Sequence, residues 1–248
     1  MAIEYDSYCD DFYVNARIGS QMPLPQERGT LLNFFEQVQK AFPAMTRFRR
    51  GDGDLSLEED RTNNCYRWVN VEPSRLGSGH VNPTSVDEAM KLHRFVLELA
   101  PFQLSISPVE IEYLDVLFGF DLEYKGNHDE IIAEALVENA PVGCLLEIPG
   151  ARPVDVQPSI TVALSEDCRT QARLEVVTRT SSYQVRTGEY ASDVMSVYLI
   201  ARQYWGERPR RALHEVAEEL RRHCETLSEK YVVGRVLQPL QALIASRS

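Results

Sequence analysis

The sequence predicts an α+β fold, with antiparallel sheet and helices packed on one face, arranged as two sheet–helix halves. Three observations point there. Residues 12–18 and 114–124 alternate between apolar and polar side chains, the mark of strands with one buried side. Residues 27–41 and the stretch after Ser85 instead space their apolar side chains by three and four, the mark of amphipathic helices. Between and after these helices, several strand-like runs follow one another through short turns, which antiparallel pairing allows and parallel crossover winding does not.

In chain order, Phe12, Val14, Ala16 and Ile18 face one side of the first strand, with Asn15 and Arg17 on the other. Leu31, Leu32, Phe34, Phe35, Val38 and Phe42 then line a helix over 27–41, stopped by Pro43. Residues 46–50 and 55–59 flank Gly51-Asp52-Gly53-Asp54, a hairpin turn rich in residues that tolerate positive φ. The aromatic and β-branched run 65–71 is a further strand, and Gly77-Ser78-Gly79 is expected to break the run as a flexible loop. Ser85-Val86-Asp87-Glu88 is a capping box opening a helix to about residue 99. Asp87, Lys91, Arg94 and Glu98 form its polar stripe, and the rest of it should lie buried along the sheet.

In 114–124 every even residue is apolar, while Asp115, Gly119, Asp121 and Glu123 sit at odd positions expected to face solvent; Gly119 suggests a bulge or a close backbone approach. A helix near 128–138 follows, then Pro141, Pro149, Pro153 and Pro158. The organisation expected is therefore a first half over residues 1–140, a Pro-rich connection over 141–158, and a second half over 159–248. That second half reads as strands over 160–164, 171–180 and 194–204, with 183–190 a polar loop or short strand. Pro209 fits the first position of a long helix whose buried face carries Leu213, Val216, Leu220, Leu227 and Tyr231, and a last helical piece over 232–245 is weakened by Gly234 and Pro239. The order of elements over 12–18, 65–71, 114–124 and 214–237 loosely resembles that of bacterial proteins of about this length with no assigned activity, and the resemblance implies architecture alone.

Composition narrows the function. The net charge of −11 repels phosphate backbones, so no nucleic acid is expected as partner; the clusters Arg47/Arg49/Arg50 and Arg208/Arg210/Arg211 read as surface charge. No apolar run is long enough to span a bilayer, and the acidic start is unlike a secretory signal, so a cytoplasmic, membrane-free protein is expected. Five scattered cysteines, with no C-x-x-C pair, argue against a disulfide framework or a common zinc site.

Gly126-Asn127-His128-Asp129 resembles one sequence block of the calcineurin-like metallophosphoesterases. The resemblance implies Asn127 as a metal ligand and His128 as an aid to the leaving group; the alternative function built around it is a metal-dependent hydrolase centred on Asp121, Glu123, His128 and Asp129, with Asn127 and Asp129 as the metal-holding pair. The family's other blocks are missing. No His has an Asp two residues before it; Gly51-Asp52 has its next acid at Asp54, one residue too close; and Gly79-His80 continues Val81-Asn82 without a second His. The stretch reads better as a strand-to-helix corner. Gly126 ends the strand, Asn127 caps the helix, and Asp129 and Glu130 put negative charge at its positive end.

Other catalytic sets are equally incomplete. Leu76 to His80 lacks nucleophile-elbow spacing, and His223 and Cys224 point about 100° apart on a helix. His93, on the apolar side of its helix, reads as a hydrogen-bonded core residue, and no phosphate loop is present. The function expected is thus non-enzymatic binding, without cofactor, of a protein partner or a small apolar ligand in a sheet–helix groove, with a homo-oligomer left open. Tyr183, Arg186 and Tyr190 are the candidate contact residues, because their segment mixes aromatics, Arg and Gly. The metal-dependent hydrolase is the alternative.

Overall fold

The computed structural model describes residues 5–51, 53–107, 109–205 and 211–247. Asp52 of the expected hairpin turn, Arg208, Pro209 and Arg210, and the first residues of the acidic N-terminus lie outside them. The fold is α+β. One nine-stranded antiparallel sheet runs through both halves of the chain in the order β2-β3-β4-β5-β1-β6-β9-β8-β7. Its strands are β1 (Asp11–Ser20), β2 (Arg47–Arg50), β3 (Leu55–Glu58), β4 (Tyr66–Glu72), β5 (Arg75–Val81), β6 (Ile111–Tyr124), β7 (Ser159–Ala163), β8 (Thr170–Val177) and β9 (Asp193–Tyr204). The two halves join where β6 pairs with β1 on one side and β9 on the other.

The helices are α1 (Arg28–Ala41), α2 (Val86–Gln103), α3 (His128–Ile132), α4 (Ser182–Thr187), α5 (Leu213–Leu227) and α6 (Gln238–Arg247). α2 packs on β5 and β1, and α5 on β6 and β9. The core between them is filled by side chains with no exposure at all, among them Val14, Leu92, Leu114, Phe118, Phe120 and Met195. Cys224 anchors α5 from inside, its thiol donating to the Val116 carbonyl at 3.5 Å. Asp87, Arg94 and Glu98 of the α2 polar stripe reach across to α5, within ion-pair range of Arg221, Glu218 and His214 respectively. His93 is fully buried. A carbonyl can only accept, so its Nε2–H donates to Val14 O (3.1 Å) and its Nδ1 accepts from Ser78 Oγ (2.7 Å). The ring is neutral, as a core residue must be, and burial pulls its pKa down to about 3.

Several expectations are corrected. Gly77-Ser78-Gly79 does not break the run: it is the middle of β5. The glycines are there because Trp68 and Asn70 of β4 lie over them, leaving no room for a Cβ. Ser85 caps α2 by accepting from the Glu88 amide, but the Glu88 carboxylate turns to Lys91 instead of reaching back, so the box is half formed. α2 continues to Gln103, with Pro101 inside it.

Residues 182–187 form the short helix α4, closed by a full capping box of Ser181 and Gln184, where a loop or strand was expected. Gly234 and Pro239 do not separate two helices. The turns over Ser228–Leu237 widen to i→i+5 hydrogen bonding and carry α5 into α6. This widening rotates Tyr231 off the buried face, and it is half exposed.

Candidate functional site

The Gly126–Asp129 corner is built as a latch. Asn127 caps α3 through Oδ1, which accepts from the Asp129 amide at 3.1 Å, and its Nδ2 donates to Pro153 O (3.0 Å) and Glu130 Oε1 (3.2 Å). Asp129, fully buried, accepts from the Val156 amide at 2.8 Å. The backbone amide of His128 donates to Thr180 Oγ1 and its Nε2–H to Tyr124 O. These residues therefore tie the Pro-rich connection and the end of β8 to the end of β6. Asp129 Oδ2 and His128 Nδ1 stay buried without a partner. Among the described residues, no three His, Cys, Asp or Glu side chains are grouped to hold a metal ion. Asp121 belongs to a different surroundings: its Oδ1 accepts from Tyr13 Oη (3.0 Å) and Ser196 Oγ (2.6 Å), while Glu123 accepts from Ser192 Oγ. Burial pushes the Asp121 carboxyl above its usual range, against those two hydrogen bonds.

Tyr183, Arg186 and Tyr190 divide between two places. The Arg186 guanidinium lies 5.4 Å from the Tyr183 ring centroid on α4, with Tyr183 more than half exposed. Tyr190 accepts from Arg152 beyond that helix and borders an open depression with Lys125 and Glu189.

The larger feature is the sheet face opposite α2 and α5. In an antiparallel ladder, directly opposite residues share a face, so the register assembles its composition. One row across the strands reads Glu58, Trp68, Gly79, Asn15, Leu117, Ile200, Arg173 and Thr161. The neighbouring row reads Ser56, Asn70, Gly77, Arg17, Asp115, Arg202 and Gln171. Tyr13, Gly119 and Tyr198 align on one side, and Gly19, Tyr113 and Tyr204 on the other.

Three rings occupy the space a Cβ would take on glycines of adjacent strands: Trp68 at Gly79, Tyr13 at Gly119 and Tyr113 at Gly19. At Gly119 the close backbone approach is thus real, and the ladder runs through it without a bulge; the register shift falls at Gly19/Ser20 instead. The odd face of β6 is also less open than expected. Asp115 is buried, gripped by Arg202 through two hydrogen bonds of 2.6 Å, and Arg202 is itself stacked 4.0 Å from the Tyr113 ring centroid. Burial pushes the Asp115 carboxyl up, opposed by the guanidinium.

No family model matches the chain, and no curated protein matches it. On the sheet face opposite α2 and α5, Arg47, Arg49, Arg75, Arg173 and Arg202 each have a carboxylate within ion-pair range. Arg17 is exposed in the middle of the sheet between Gly77 and Asp115; its charge helps hold the Asp115 carboxyl down, but among the described residues no carboxylate lies within direct ion-pair distance of it. Farther along the same face, beyond β6, a hollow of about 120 Å³ is lined by Thr161, Gln171, Arg173, Ile200, Arg202 and Tyr204. These residues were invisible as a site in the sequence. Their signal was the aromatics at polar-face positions (Tyr13, Trp68, Tyr113, Tyr198, Tyr204), which become a surface only once the register is known. Among the described residues no helix is long and apolar enough to cross a membrane.

Proposed function

We propose that this is a non-enzymatic binding protein that holds a protein partner on the sheet face opposite α2 and α5. The observation that supports this is the composition of that face: half-buried rings and aliphatic side chains near Arg17, an exposed cation opposite Asp115 with no carboxylate in direct ion-pair contact among the described residues. Aromatic and Arg residues are what interface centres are enriched in, and Leu117 and Ile200 supply apolar area between them. The partner's contacting surface is apolar with a carboxylate placed to meet Arg17. The sheet–helix groove is the poorer place for a small ligand, because core side chains fill it.

The test is capture of partners from cell extract on immobilised protein, read by mass spectrometry beside two variants, Arg17→Glu and Ile200→Lys. The expected result is a protein retained by the wild type and lost from both variants, with at least a tenfold weaker Kd when the purified pair is titrated. Equal binding by all three would overturn the assignment of this face.

A further inference from the structure

The two edges of the sheet are protected very differently. At one end β2 reads Arg47-Phe48-Arg49-Arg50, and pairing it with its own copy would set arginines against arginines. At the other end β7 and its exit read Ser159-Ile160-Thr161-Val162-Ala163-Leu164, with no charge and no proline. Every residue of β7 is exposed, and Ile160, Val162 and Leu164 are 66%, 49% and 37% exposed. Natural edges are ordinarily blunted with charge, proline or a covering element. This one, among the described residues, has none of the three.

The direction of its free backbone groups follows from the ladder. The Leu164 amide donates to Thr170 O, and the Val176 amide donates to Pro158 O. Hydrogen-bonded positions alternate along an antiparallel strand, so Pro158, Ile160, Val162 and Leu164 turn their backbone groups toward β8. Ser159, Thr161 and Ala163 turn theirs outward.

We infer that β7 pairs with β7 of a second copy of this chain, antiparallel, about a two-fold axis at Thr161. In this register Thr161 opposes the partner's Thr161, and Ser159 opposes the partner's Ala163. Main-chain bonding then uses all three outward N–H groups and all three outward carbonyls of each copy. On the helix side Ile160 meets the partner's Val162 at both symmetry-related positions, in the closer, non-hydrogen-bonded pairs. The exposed apolar side chains of the edge thereby cover one another. On the opposite side Ser, Thr and Ala meet, and Arg173 of β8, which donates to Ser159 Oγ and pairs with Glu175, is the one charged side chain bonded to the edge strand among the described residues. The strand is self-complementary, as a two-fold interface requires. Because the contact is small, association in the micromolar range is expected. The edge is distinct from the Arg17 surface, and the inference stands without it.

The experiment is sedimentation velocity over about 1 to 200 µM, a range that brackets a micromolar Kd, with hydrogen exchange of the 159–164 segment at both ends of the range. The variants are Thr161→Pro and Val162→Lys. Proline is tolerated where the strand N–H faces outward, so the first removes an intermolecular donor and leaves the β8 ladder intact; circular dichroism and Tm report that each variant is folded. The wild type is expected to pass from the 28.2 kDa monomer to twice that mass, with exchange in 159–164 slowed as the dimer forms. Both variants should stay monomeric at the highest concentration. A wild type that remains monomeric throughout, including one whose edge captures only a foreign strand, would overturn the inference. So would folded variants that dimerise as well as the wild type, or a dimer whose formation leaves exchange in 159–164 unchanged.

Discussion

His93 gives the fold a dependence on pH that can be worked out in advance. Its ring is fully buried, bonded at both nitrogens, and held neutral with a pKa of about 3 against an ordinary 6.5. The unfolded chain takes up a proton near pH 6.5, while the folded one resists until far lower, so stability falls as pH drops through this window. One pH unit below the ordinary value costs between 1 and 2 kcal/mol for such a group. His80, buried opposite Arg67, is held to about 4 by desolvation first and by that guanidinium second, and adds a similar amount.

Between pH 8 and 5.5 the two together should remove about 3 kcal/mol of unfolding free energy. Asp115, Asp121 and Glu225 act with the opposite sign, since burial raises their folded-state pKa and favours the protonated, folded form as pH falls. Their effect grows toward the carboxylate range, which is why the comparison stops at 5.5. The assay is urea unfolding at several pH values for the wild type and His93→Gln. The Gln amide can donate to Val14 O and accept from Ser78. Whatever its absolute stability, the variant should lose about half of the pH slope. A slope unchanged by His93→Gln, or a wild type equally stable at both pH values, would refute the neutral core histidine.

Three further outcomes follow from the same packing. Asn127→Ala should cost about 1–2 kcal/mol, one cap and the bond to Pro153, and limited proteolysis should then cut preferentially within 141–158. Gly119→Val forces a Cβ into the Tyr13 ring and breaks its bond to Asp121; about 1–3 kcal/mol is expected from denaturant midpoints, and less in a Tyr13→Ala background. Arg202→Ala leaves the Asp115 carboxylate buried without its partner and should cost about 2–3 kcal/mol, below the range for fully buried pairs because the guanidinium is partly exposed. Replacing both residues by Leu should recover much of that loss.

The periodicities carried most of the architecture. The alternation in β1 and β6 and the three–four spacing in α1, α2 and α5 each reflect one buried face, so element type and order were legible. What failed was local. Gly77 and Gly79 have turn chemistry by composition, and only the cross-strand position of Trp68 and Asn70 explains glycines inside a strand. Ser181-Ser182-Tyr183-Gln184 contains the capping box of α4 but too few residues for a period to show. The corner at Asn127 was legible because a cap is decided within three residues. Its long-range half, the bonds to Pro153, Val156 and Thr180, was not.

The same distinction separates the two proposed surfaces. A face is a property of register: Tyr13, Trp68, Arg17 and Arg202 are far apart in the chain and share a side only because nine strands pair in one order. Once paired, the glycines beneath the rings become intelligible, since a side chain at Gly79 or Gly119 would lift the ring and roughen the surface. An edge, by contrast, is a property of a few consecutive residues. Three arginines in β2 and none in β7 already distinguish a strand that repels its copy from one that accepts it. What the sequence withholds is only which strands are the edges, and that is settled by β6, whose pairing with both β1 and β9 fuses the two halves and sends β2 and β7 to opposite ends of one sheet.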